Sequence, residues 1–185
     1  MKQEERTALA NWEEYKADIS NSTPVDVNMS QAQREKHRLY LEEHPIEWIG
    51  FFFPNYAKYP FAPFHKKAIK RILNNDEWYE VLSWSRELAK STVVMFCVMY
   101  LALTGRKRNV MLASATQDSA RRLLDPYRAN LEANGRIKAY YGEQMNIGSW
   151  TDTEFIAKCG CAFRAIGAGN APRGSRNEAV RPDVV

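Results

Sequence analysis

The run Val93 to Leu103 carries no charged residue and is the longest apolar stretch in the chain. It is about half of the roughly 20 residues that a membrane-spanning helix needs, so it reads as a helix buried in a protein core. Its surroundings set the fold class. From Trp78 onward strand-like and helix-like stretches alternate: Trp78 to Trp84 as strand, Ser91 to Thr104 as helix, Asn109 to Ser114 as a second apolar strand, Gln117 to Asn134 as the next helix. This alternation is the pattern of an α/β fold with a mainly parallel sheet. Gly105 and Gly135 fall where a left-handed residue would close each helix. Glu154 to Lys158 and Cys161 to Ile166 flank Gly160 and are expected to form a hairpin, and the final apolar residues read as a strand cut off mid-course. With 185 residues, 45% of them hydrophobic, one well-buried domain is expected rather than two.

Residues 1 to 59 read as a helical and aromatic-rich extension. Leu9, Trp12, Tyr15 and Ile19 recur at helical spacing, and Asn21-Ser22-Thr23-Pro24 stops that helix. Ser30 can cap a second helix over Gln31 to Glu43, which His44-Pro45 breaks. Phe51, Phe52, Phe53, Tyr56, Tyr59, Phe61 and Phe64, punctuated by Pro54, Pro60 and Pro63, suit an ordered aromatic loop. A short helix, His65 to Leu73, follows.

The balance of 26 Lys and Arg against 22 Asp and Glu is mildly basic. It is compatible with nucleic acid or phosphate without making a bulk polycation. Three cysteines are too few for a disulfide framework, and no basic stretch leads into an apolar segment and cleavage site. A reduced cytosolic protein with no membrane association is expected.

The register Ser83-Trp84-Ser85-Arg86-Glu87-Leu88-Ala89-Lys90-Ser91 matches the phosphate-loop pattern GxxxxGK(S/T) in its Lys-Ser pair and its strand-loop-helix setting. Both glycines are replaced, by Ser83 and Ala89. In such a loop, backbone amides and the helix N-terminus surround phosphates, Lys reaches them, and Ser or Thr holds magnesium. Lys90 lies at the positive end of the following helix dipole, a place that disfavours a cation and that a bound anion would relieve. Arg86 adds a second positive charge in the same turn, and Glu87 is the nearby carboxylate. The local alternative, that Lys90 and Arg86 solvate an ordinary turn while Ser91 caps the helix, stays open.

Ser85-Arg86-Glu87-Leu88-Ala89-Lys90-Ser91-Thr92-Val93-Val94 resembles the deviant phosphate loop of terminase large subunits, which carries Ser-Arg, two variable residues, Gly, Lys and Ser or Thr. Upstream, Pro60-Phe61-Ala62-Pro63-Phe64-His65 is similar to the segment that precedes this loop in the family and helps form the adenine pocket. Downstream, Gly167-Ala168-Gly169, Pro172-Arg173-Gly174 and Arg181-Pro182-Asp183-Val184-Val185 resemble the run into the family's second nucleotide motif. On these residues the stretch from 60 to 185 resembles the N-terminal ATPase domain of a tailed-bacteriophage terminase large subunit. Ala89 and Glu87 depart from the family's pattern.

That resemblance implies a P-loop NTPase fold of the RecA-like (ASCE) kind with a mainly parallel sheet, incomplete and preceded by N-terminal helices. It implies ATP and Mg2+ as ligands, with Lys90 on the β and γ phosphates, Ser91 on magnesium and Arg86 on the γ-phosphate charge. Ser85, Glu87, Leu88, Ala89 and Thr92 would complete the loop, and His65 would border adenine. The family's catalytic carboxylates would follow Val185 and its C-terminal nuclease domain has no counterpart, so the chain reads as a fragment that binds ATP with little turnover. The function implied is a motor that couples ATP hydrolysis to moving double-stranded DNA into a prohead. It would work as a homo-oligomeric ring with a portal and a small terminase subunit, in the cytoplasm of an infected bacterial host.

Other residues carry two readings each. Ser114-Ala115-Thr116-Gln117 lies where open α/β sheets bind ligands, and Thr116 equally suits a helix cap. Arg121, Arg122 and Arg128 could face DNA or form a solvated face, and Arg173 could touch DNA or pack a turn. Cys159-Gly160-Cys161 lacks the further ligands zinc requires. His37 and His44 have no catalytic company. Two competing functions remain: another DNA-translocating P-loop NTPase such as a helicase, and a degenerate α/β module that serves DNA binding or assembly without nucleotide turnover.

Overall fold

In the computed structural model, which describes residues 3–169, 177 and 180–185, the amphipathic N-terminal pattern forms α1 (Gln3–Ser22). Ile19 is fully buried, and Trp12 lies under the Arg128 guanidinium, 4.3 Å from it. The Thr23 hydroxyl donates to the Ile19 carbonyl at 2.8 Å and accepts from the Gly135 N–H at 3.0 Å, so it both ends α1 and anchors it.

Ser30 begins α2 (Gln31–Glu43) with a reciprocal cap: its hydroxyl accepts from the Gln33 N–H at 3.3 Å, and the Gln33 side chain accepts from the Ser30 N–H at 2.8 Å. Next comes α3 (Pro45–Phe52), where the sequence suggests the start of a loop. Pro45 ends α2 but opens α3, because a helix leaves its first N–H groups unbonded and loses nothing from proline there. Trp48, Ile49 and Phe52 then bury one face of α3.

After α4 (Pro63–Asn74), residues 78 to 84 join no helix and no strand among the described residues, which corrects the strand expected there. A strand exists only against a partner, and this segment leaves Trp78, Tyr79 and Val81 exposed at 47%, 89% and 70%. The apolar run becomes α5 (Lys90–Leu103), in which every residue from Met95 to Leu103 is buried. A helix apolar on all sides must lie inside the molecule. Gly105 closes it at φ 72°.

Then follow β1 (Asn109–Ser114), α6 (Gln117–Ala133), α7 (Gly135–Tyr141), a 3-10 turn (Ile147–Ser149), β2 (Glu154–Ile156) and β3 (Ala162–Gly167). The sheet has the order β1-β3-β2 and is mixed: β1 pairs parallel with β3 from Asn109–Ala162 to Ser114–Gly167, and β2 pairs antiparallel with β3. Gly160, at φ 88°, turns the expected hairpin. Val184 pairs in parallel with Val110 along the other edge of β1. Gly135 does not close α6 with a left-handed residue. Instead Asn134 caps α7 by accepting from the Ile137 N–H at 3.0 Å, and a Cβ on Gly135 would come within 2.8 Å of the Thr23 carbonyl oxygen. The Thr23 contact, not helix termination, explains that glycine. Helices α3, α5, α6 and α7 share one core through Trp48, Phe53, Phe96, Met99, Leu124 and Ile137. Among the described residues no helix is long and apolar enough to cross a membrane.

Candidate functional site

The loop that leads into α5 borders a hollow of about 350 Å³ lined by residues 84–92. Every site residue expected from the loop sequence, Ser85, Arg86, Glu87, Leu88, Ala89, Lys90, Ser91 and Thr92, lines that hollow. Two non-glycine residues there adopt the left-handed conformation, Glu87 at φ 67° and Ala89 at φ 55°. Ala89, with ψ 28°, is the N-cap of α5 and contributes no side-chain cap. Its carbonyl accepts from the Val93 N–H at 2.9 Å, while the amides of Lys90, Ser91 and Thr92 are the orphan donors of a helix start. No acidic residue occupies the first turn of α5. Among the described residues neither Arg86 nor Lys90 forms an ion pair, and both line the hollow beside the orphan amides, with Glu87 as the carboxylate of the same lining. Such an arrangement attracts anions, phosphates above all.

His65 ties this loop to α4. The Ala62 N–H donates to His65 Nδ1 at 3.3 Å, and Nε2–H donates to the Leu88 carbonyl at 3.0 Å, a pair of partners that suits the tautomer with its proton on Nε2. Phe64, Trp84 and Phe61 surround the imidazole with ring centroids 4.1, 5.3 and 6.1 Å away. Sequence reasoning singles out His65 but not this aromatic clamp. The signal for it is the Phe64-His65 pair directly after Pro63 at a helix start.

A second cavity, of about 380 Å³, adjoins the first and shares Lys90, Ser91 and Thr92 with it. Tyr56, Met95, Leu112, Leu123 and Tyr127 line its apolar part, and Arg122 stands at its wall. The Asn130 amide donates to the Tyr56 hydroxyl at 3.2 Å, and Tyr15 of α1 bonds the same hydroxyl. Burial raises the Tyr15 phenol well above its ordinary pKa. Nothing local in the sequence marks Tyr56 as a cavity residue.

The remaining candidates have these contacts. Thr116 caps α6 by accepting from the Ser119 N–H at 3.1 Å, and the Gln117 side chain spans to β3, donating to the Ala165 carbonyl and accepting from the Gly167 N–H, each at 2.9 Å. Arg121 pairs with Asp152 at 3.0 Å and Arg128 with Glu132 at 3.6 Å. Cys97, Cys159 and Cys161 are free thiols, and burial pushes Cys97 up to about 12 and the other two upward as well. His37 bonds Tyr140 at 2.9 Å, and His44 stacks on Tyr40. Arg173 lies outside the described residues. Among the described residues no group of three or more His, Cys, Asp or Glu side chains could hold a metal ion. Magnesium in this loop would therefore lean on the Ser91 hydroxyl, which is exposed, and on the phosphates and waters it brings. No family model matches the chain, and neither the curated proteins nor the solved structures compared with it give a match.

Proposed function

We propose that the loop grips the phosphates of ATP and that the chain is the ATP-binding part of a viral DNA-packaging motor of the terminase large-subunit type, built on a P-loop NTPase fold. The observation that carries the first half is the convergence of two cations outside any ion pair among the described residues, Arg86 and Lys90, with the orphan amides of α5 around one hollow. The second half rests on the likeness of residues 85 to 94 and their flanking segments to that family's motifs. Lys90 would bind the β and γ phosphates as a mobile point charge, and Arg86 would meet γ-phosphate charge with its planar fork. Ser91 would hold the magnesium ion, which supplies charge neutralisation between the β and γ oxygens when bound. The protein's contribution is position and charge, because phosphoryl transfer asks for little covalent help.

Glu87 favours a second reading, since an acid lining the same hollow opposes a polyanion. In that reading the module serves DNA binding or assembly without turnover. Calorimetric titration with ATP, ADP, AMP and adenosine in the presence of magnesium separates the two. A phosphate grip gives affinity that climbs with phosphate number; equal affinity for adenosine and ATP defeats it, and binding of double-stranded DNA without any nucleotide binding selects the second reading.

A further inference from the structure

Helix α4 and the phosphate loop meet at one side chain. Among the described residues, the bond from His65 Nε2 to the Leu88 carbonyl, 3.0 Å long, is the one side-chain hydrogen bond made to residues 85–89. We propose that His65 is the positioning residue of the loop: by holding the Leu88 carbonyl it turns the Ala89 amide toward the hollow and keeps the loop in its anion-binding shape. The proposal rests on the phosphate-gripping reading given above.

The geometry follows from the peptide plane. In a trans peptide the C=O of Leu88 and the N–H of Ala89 point in opposite directions. With the carbonyl aimed at His65, the Ala89 amide faces away from His65, and Leu88, Ala89 and Lys90 line the hollow while His65 does not. The loop also needs holding. Glu87 at φ 67° and Ala89 at φ 55° sit in a region that side chains with a Cβ avoid, and such conformations persist only where neighbours over-determine them. The imidazole is itself fixed at its other end, where Nδ1 accepts the Ala62 N–H at 3.3 Å, and the tilted rings of Phe64 and Trp84 pack against it. His65 is thus a strut with two defined ends, one on the start of α4 and one on the loop.

The two amide side chains separate those ends. In His65→Gln the amide nitrogen reaches about as far as Nε2 and can still donate to Leu88, whereas in His65→Asn the amide oxygen stands in for Nδ1 and keeps only the cap on Ala62. The probes are ATP with magnesium and inorganic pyrophosphate, titrated calorimetrically against the full chain. The expected result is Gln near wild type and Asn weaker by about fivefold, the size of one lost hydrogen bond. Asn binding as wild type while Gln binds poorly would mean that His65 merely caps α4, and would overturn the proposal. The ring 15N shifts of the unliganded wild-type protein give a test independent of any variant: the Nε2–H tautomer supports the strut and an Nδ1–H tautomer refutes it. Wild-type protein that binds neither probe overturns the underlying functional reading, whereas wild-type binding with equal Asn and Gln affinities overturns the strut alone.

Discussion

Replacing Ala89 by glycine should both stabilise the protein and improve its grip on phosphate. Ala89 sits at φ 55° and ψ 28°, in the left-handed well. An L-residue pays about 1–2 kcal/mol for that conformation. Glycine escapes the strain but loses about 0.5–1 kcal/mol through the greater freedom of its unfolded chain. The midpoints of the two ranges leave Ala89→Gly more stable by roughly 0.75 kcal/mol, a rise in Tm of about 1.5–3 °C for a chain of this length. Removing the methyl group also clears the hollow that residues 84–92 line, so ATP affinity should rise as well. Ala89→Val is the opposite control, because branching at Cβ makes the left-handed well costlier. Scanning calorimetry and ATP titration on the three proteins read both effects. A glycine variant less stable than wild type, or a valine variant equally stable, refutes the strained-loop reasoning.

Three further outcomes test the frame around the loop. Gly167→Ala would put a Cβ 2.4 Å from the Gln117 nitrogen, so it should cost about 1–3 kcal/mol or more in urea denaturation as β3 and the start of α6 are forced apart. Thr116→Ala should lose about 1 kcal/mol with the α6 cap and leave ATP affinity unchanged, which separates capping from coupling at this position. Burial raises the Asp125 carboxyl above its ordinary pKa, against the opposing pull of Arg128 and Arg121. The folded state therefore keeps this proton to higher pH than the unfolded state does, and stability falls as pH rises through the interval between the two values. Asp125→Asn should gain on wild type in Tm as pH rises from about 4 toward neutrality; a constant difference across that range would rule out burial as the cause.

Much of the local structure is legible where one residue decides it. Ser30 announces the start of α2, though not the returning bond from Gln33; Gly105 closes α5 at a positive φ, and Gly160 turns the hairpin. The buried helix follows from its composition alone, since no face of it is polar. The eight residues expected in the loop line one hollow, and whether that hollow binds phosphate is what the titrations decide. What escapes is whatever depends on a distant partner. Residues 78 to 84 have strand-like composition but no neighbour to pair with among the described residues. Gly135 looks like a helix stop until Thr23, far away in sequence, supplies the close contact that requires it. Pro45 breaks one helix and starts another, and only the burial of Trp48 and Phe52 decides that a helix follows. The strut from His65 to Leu88 depends on two segments meeting, so no spacing rule reveals it.

The central claim is that Lys90 and its loop bind the phosphates of ATP. Equilibrium titration of ATP with magnesium against wild-type protein and Lys90→Ala tests it most directly, with the α5 helix signal confirming that the variant is folded. Loss of a charge-assisted contact worth about 1.5–3 kcal/mol should weaken binding by at least tenfold. Equal affinity in the two proteins, or no ATP binding by wild type, would contradict the account.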